Sequence, residues 1–81
     1  MQFFYVYILQ SQTDPAQFYV GNTENLHARL EKHNAGDVPH SAKFRPWTIK
    51  TAIAFTDKAQ AFHFETHLKT ASGRAFAKNR L

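Results

Sequence analysis

The chain has 81 residues, no cysteine and a formal charge of +4. That length allows one domain with a thin core, and the missing cysteines exclude disulfides and thiolate zinc sites. An ordinary apolar fraction argues against disorder, and ten Lys and Arg against six acids favour a polyanionic partner, nucleic acid first.

Charge alone does not decide the matter, since many small proteins are this basic without binding nucleic acid. The excess is concentrated in "LKTASGRAFAKNRL", which carries Lys69, Arg74, Lys78 and Arg80 and no acid.

Residues 3–10, "FFYVYILQ", are aromatic and β-branched and predict a strand. Phe3, Tyr5, Tyr7 and Leu9 point to one face and Phe4, Val6 and Ile8 to the other. Both faces are apolar, so the strand is expected at the centre of its sheet. The stretch is too short to span a bilayer and lacks a basic leader and a small-residue cleavage site. The expected location is the cytoplasm, with no membrane partner. "SQTDPAQ" follows as a turn broken at Asp14-Pro15, and "FYVG", residues 18–21, completes a hairpin.

Asn22 or Thr23 is expected to cap a helix over residues 24–34, ended by Gly36. Its stripe at helical spacing is Leu26, Arg29, Leu30 and His33. "GDVPHSAKFRP" reads as a loop, and "WTIKTAIAF", residues 47–55, as a third strand. Asp57 and Gln60 have capping-box spacing for a second long helix, which the sequence carries to about Ser72 and stops at Gly73. Its inward stripe is Ala61, Phe64, Glu65, Leu68 and Ala71, and "RAFAKN" adds a short last helix. The expected fold is α+β, a single domain over residues 1–81.

Three polar residues break the apolar stripes. Arg29 and His33 lie one turn apart beside Leu26 and Leu30, and Glu65 sits among Ala61, Phe64 and Leu68. Burying a charge is costly unless it is paired or holds a ligand. Singly, each has a plain explanation: an Arg29–Glu65 ion pair, a hydrogen-bonded core His33, and packing rings at Tyr7 and Tyr19. Together, two phenols, a guanidinium, an imidazole and a carboxylate suit phosphate-ester chemistry. Arginine grips a phosphate, a carboxylate holds a hard cation, and a phenol or imidazole moves a proton.

The ordered set resembles the GIY-YIG nuclease domain. "YVY" (residues 5–7) and "YVG" (19–21) take the places of the two name motifs, and "NLHARLEKHN" matches the family's arginine–histidine helix. "RPW", "AFHFETHLK" and "SGRAF" are similar to the small stand-alone bacterial branch, related to the N-terminal domain of the excision-repair incision nuclease. The sequence departs from the pattern at Tyr5, in place of the first glycine, and at Val6 and Val20, in place of isoleucines. It also carries Asn22 where the excision-repair relatives have a lysine. No second DNA-binding domain is expected, so strong sequence-specific binding is not expected either.

The resemblance implies a three-stranded, mainly antiparallel sheet flanked by helices, in the order β-β-α-β-α with a short C-terminal helix. It implies a DNA endonuclease in which Tyr7, Tyr19, Arg29, His33 and Glu65 are catalytic. Glu65 would hold one Mg²⁺ or Mn²⁺ and Arg29 would steady the phosphoryl charge. Tyr7 or Tyr19, with His33, would handle the proton of the attacking water, and which of them is the base stays open. Gly21 closes the second motif, where a backbone closed to side chains or a close approach would require it. A late asparagine of some members falls near Asn79. Lys43 and Arg45 in the loop, with Lys69, Arg74 and Lys78, would track the DNA backbone. His40 and Ser41 lie in the same loop and are within reach of substrate, though solvated loop residues are the plainer reading.

A homodimer would let one small domain cut both strands, in repair or recombination. Two other classes fit the same residues. One is a non-catalytic nucleic-acid-binding module on the same fold. The other is a protein-interaction domain with Arg29 buried against Glu65.

Overall fold

The computed structural model describes residues 2–81. The elements run β1 (Phe4–Ser11), β2 (Phe18–Thr23), α1 (Leu26–Ala35), α2 (Pro39–Ala42), β3 (Trp47–Phe55), α3 (Lys58–Leu68) and α4 (Ala71–Arg80). The three strands form one sheet in the order β2-β1-β3, with both pairings antiparallel.

The central place of β1 follows from its two apolar faces. Tyr7 and Leu9 join Trp47 in one core cluster, against which Tyr19, Leu26, Leu30 and Phe44 pack. Val6 and Ile8 join Ala61 and Leu68 in the second cluster, with Phe4, Val20, Phe55, Phe64, Ala77 and Leu81 around it. Strict alternation along one strand therefore divides the molecule into two layers. One layer holds α1 and the other holds α3 and α4.

The hairpin turn is organised by Ser11, whose hydroxyl accepts from the amides of Thr13 (3.2 Å) and Asp14 (3.1 Å). The same hydroxyl donates to the Phe44 carbonyl at 2.5 Å, tying the turn to the segment before β3. Asp14 closes the turn through Gln17 N–H on its carbonyl at 2.8 Å.

Helix α1 starts later than the sequence predicts. Asn22 and Thr23 are still paired in β2, opposite Val6 and Tyr5. The cap is Asn25, whose side chain accepts from the Ala28 amide at 3.0 Å. Gly36 ends the helix as expected, in the left-handed region at φ 83°, where other residues are strained. The expected loop after it holds the single turn α2, which begins at Pro39.

The expected long helix to Ser72 is two helices, and Gly73 is not a stop. Asp57 caps α3 by accepting from Ala59 N–H at 2.8 Å, but the helix ends at Leu68. Thr70 is extended (ψ 165°) and caps α4, its hydroxyl accepting from Gly73 N–H at 3.0 Å. A local side-chain acceptor thus competes with helix continuation and wins. Gly73 lies inside α4, buried, and a Cβ there would come within 1.8 Å of the His67 carbonyl oxygen. The glycine lets α4 fold back onto the end of α3. The last helix is ten residues long rather than short. Among the described residues, no helix is long and apolar enough to cross a membrane.

Gly73→Ala should therefore destabilise the domain by about 1–3 kcal/mol through overpacking against backbone. Thermal melts of Gly73→Ala beside Ser72→Ala, at an exposed neighbouring position, will show a lowered Tm for the first alone.

Candidate active site

The register of β1 against β2 places Tyr7 opposite Gly21. The phenol lies across that glycine: a Cβ on Gly21 would stand 2.4 Å from the Tyr7 hydroxyl. Close approach, not an unusual backbone angle, is therefore why residue 21 has no side chain. Tyr7 is 1 % exposed. Its hydroxyl meets His33 Nε2 at 3.0 Å, and His33 Nδ1 meets the Ser41 hydroxyl at 2.6 Å. Ser41 in turn reaches the Val38 carbonyl at 3.3 Å. A carbonyl only accepts, so one direction satisfies every group in the chain. Ser41 donates to Val38, Nδ1–H donates to Ser41, and Tyr7 donates to Nε2.

Both His33 and Ser41 are fully buried. Ser41 is therefore not a solvated loop residue. It lies in the turn that begins at Pro39, and the Trp47 indole holds it, the indole N–H donating to the Ser41 carbonyl at 2.9 Å. Asn34, next to His33, clasps Trp47 from the other side. Its carbonyl accepts from Trp47 N–H at 2.6 Å and its amide donates to Trp47 C=O at 3.1 Å. The pair His33-Asn34 thus ties α1 to β1 through one residue and to β3 through the next. Tyr19 is half-buried and packs its ring edge-on against His33, centroids 4.6 Å apart.

Burial and, behind it, the Arg29 charge hold the His33 imidazole below its ordinary value, so it is neutral at pH 7. Burial pushes the Tyr7 phenol up; the Arg29 guanidinium beside it pulls the other way, and Tyr19 and Glu65 add to the rise. Contact with Tyr7 holds Arg29 more firmly protonated. Arg29 is half-buried and belongs to neither of the two ion pairs among the described residues, His27–Glu31 and Lys69–Glu65. Its Nε is buried with no hydrogen-bond partner.

Glu65 reaches the same region from the opposite layer, since α3 packs on the Val6 and Ile8 face. Asn22 at the end of β2 donates to one carboxylate oxygen, and Lys69 pairs with the other at 2.8 Å. The Glu65 side chain keeps 12 % exposure. The Arg29–Glu65 ion pair considered from the sequence does not form, and the two charges approach Tyr7 separately. Among the described residues, no three His, Asp or Glu side chains cluster as a metal cage. A lone, partly exposed carboxylate fits a cation that keeps most of its waters, such as Mg²⁺.

The GIY-YIG catalytic domain matches residues 3–79. The chain belongs to the GIY-YIG family. Similar proteins include structure-specific endonuclease subunits SLX1 from Scheffersomyces stipitis, 38 % identical over 71 residues, and Meyerozyma guilliermondii, 37 % identical over 75 residues. Those matches cover 78 % and 84 % of the chain but only 21 % and 25 % of the relatives. The chain therefore spans about a quarter or less of the length of these curated relatives. The solution NMR structure of a UPF0213 protein from Bacillus halodurans matches 96 % of the chain and 81 % of its own, with TM-score 0.55 and 29 % identity.

Within this GIY-YIG domain the remaining expected residues fall into separate places. Lys43 lies exposed over the Phe44 ring, 5.5 Å from its centroid. Arg45 is exposed and runs against Gly36 at the end of α1. Lys69, Arg74 and Lys78 lie in the other layer, beside a surface groove that His40 and Tyr19 also border. Asn79 is exposed on α4, away from that lining. Sequence reasoning underrated Ser41 and gave Asn34 no role. The signals available were the "HN" pair on α1 and a serine three residues after Val38.

The His33 environment has a pH consequence. Unfolded, His33 takes up a proton near pH 6.5; folded, it resists protonation. The unfolded state then binds more protons, so stability falls as pH drops from about 7 toward 5. Melts of wild type and His33→Gln across that range will show a steeper loss of Tm for wild type, because the substitution removes this titration.

Proposed function

We propose that this domain hydrolyses phosphodiester bonds in DNA, as a metal-dependent endonuclease acting on structured DNA in repair or recombination. The SLX1 relatives, named structure-specific endonuclease subunits, support the reaction. The observation that carries the reading is Arg29, half-buried beside the Tyr7–His33 pair with an unpartnered Nε and no carboxylate to neutralise it. A guanidinium held in that state is ready for an anion that the chain itself does not supply. A phosphate diester offers both the charge and paired acceptor oxygens.

In this reading Arg29 stabilises the charge that builds on the phosphoryl oxygens. Water attacks phosphorus as the bond to the leaving 3′ oxygen breaks. The water proton passes to the Tyr7 oxygen while the Tyr7 proton passes to Nε2 of His33, which is neutral and already in hydrogen-bond contact. Ser41 and Val38 hold His33 with Nε2 free to accept. Tyr19 has no such acceptor within reach among the described hydrogen bonds; it flanks the His33 ring and shapes the mouth of the site. A divalent cation bound at Glu65 would polarise the phosphate and stabilise the leaving oxygen. To admit it, the carboxylate would exchange the Lys69 ammonium for the cation, which leaves Asn22 to orient Glu65.

The test is nicking of branched DNA with Mg²⁺ or Mn²⁺, comparing wild type with Arg29→Ala, Glu65→Ala and Tyr7→Phe. Each variant should lose about 10²-fold or more in rate. Wild type no faster than all three would remove the hydrolase reading. Metal-independent DNA binding unchanged by Glu65→Ala would then identify a non-catalytic module.

A further inference from the structure

The sheet face under α3 and α4 is not covered to its end. Helix α3 stops at Leu68, and Thr70 and Gly73 turn α4 aside. The strip of sheet beyond them, at the edge strand β2, stays open. A groove of about 930 Å³ results, with Ile8, Phe18, Val20 and Leu68 on its floor. Phe18 is 49 % exposed there, on a strand whose outer edge has no neighbouring strand among the described residues.

No carboxylate lines this groove. Its cations are Lys50, Lys69, Arg74 and Lys78. Lys50 is held on the Leu81 carbonyl and Lys69 on Glu65. Arg74 and Lys78, one turn apart on α4, have no side-chain hydrogen bond or ion pair among the described residues and flank the apolar floor. At its near end the groove reaches Tyr19 and His40, beside the Tyr7–His33 pair.

An apolar floor with one exposed aromatic ring and a rim that carries cations and no acid matches one kind of polyanion. Duplex DNA offers phosphates but keeps its base faces stacked inside. An unpaired strand offers phosphates and bare base faces together. We propose that this groove binds a short unpaired DNA strand adjoining the scissile phosphate. Phe18 stacks a base, and Arg74 and Lys78 hold the flanking phosphates. The proposal rests on the DNA-hydrolase reading and narrows its substrate to DNA with a single-stranded arm.

The experiment is fluorescence anisotropy, in EDTA so that nothing is cut, with a labelled 12-nucleotide oligothymidylate and a blunt duplex of equal length. Wild type should bind the single strand at least tenfold more tightly than the duplex. Phe18→Ala should cost about tenfold or more for the single strand and less than twofold for the duplex, with Phe18→Tyr restoring binding. Lys78→Gln should lower the salt dependence of single-strand binding by about one ion. Circular-dichroism melts confirm that each variant is folded. Equal affinity for the two DNAs, or single-strand binding indifferent to Phe18→Ala, overturns the proposal. So does a concentration-dependent dimer that Phe18→Ala abolishes without any single-strand preference, because the groove would then hold a second copy of the chain. Binding is read without cleavage, so an inactive wild type leaves this test standing, and an active enzyme without single-strand preference sinks the groove alone.

Discussion

The hydrogen bond between the Tyr7 hydroxyl and His33 Nε2 is the contact around which the domain is arranged. It is buried on both sides, and it needs three elements in place at once. β1 must be central so that Tyr7 points inward, and β2 must present Gly21 opposite it so that the phenol has room. α1 must then start late enough, at Leu26, to bring His33 down onto the ring. A buried polar pair with one half missing is costly, so the same contact that equips the site also fixes the register of the strand and helix that carry it.

Around that pair the charges are deliberately unequal. Glu65 has one partner on each oxygen, Asn22 and Lys69, whereas Arg29 has no carboxylate of its own. Had the two paired with each other, the site would be electrically closed. They do not: α1 packs on the Tyr7 and Leu9 face, and α3 on the Val6 and Ile8 face. Arg29 and Glu65 both act on the phenol, Arg29 from the α1 layer and Glu65 from the α3 layer. An anion entering there meets a positive field from Arg29, and a cation meets the one carboxylate near the phenol. The break between α3 and α4 has the opposite effect on the far side of β2, where it leaves apolar sheet exposed beneath an acid-free helix.

Much of this was legible in advance. The alternation of "FFYVYILQ" gave the central strand, β3 falls on residues 47–55 as read, and Gly36 ends α1. The stripe Leu26, Arg29, Leu30, His33 is the inward face of α1. What was misread depended on competition between local alternatives. Asn22 and Thr23 are good caps in isolation, but their backbone groups are taken by β2 pairing, so Asn25 has the position. Gly73 reads as a helix stop until the Thr70 cap and the His67 carbonyl are placed beside it. Asn34 and Ser41 carry no periodic signal at all; their partners, Trp47 and His33, are 13 and 8 residues away.

The sequence by itself determined the periodicities, and with them the sheet, its layers and the set of chemical groups that could act. It also settled the family, because an ordered string of motifs survives without coordinates. Tertiary structure alone decided which groups meet. Hydrogen bonds act over a few ångströms, and the chain brings Tyr7, Gly21, His33 and Ser41 within that range, and Glu65 onto Asn22, only after three strands have paired and α1 and α3 have docked on opposite faces. For that reason Arg29 could be read from the sequence as polar on an apolar stripe, while its unpartnered Nε and the absence of an ion pair to it among the described residues could be seen only in the fold.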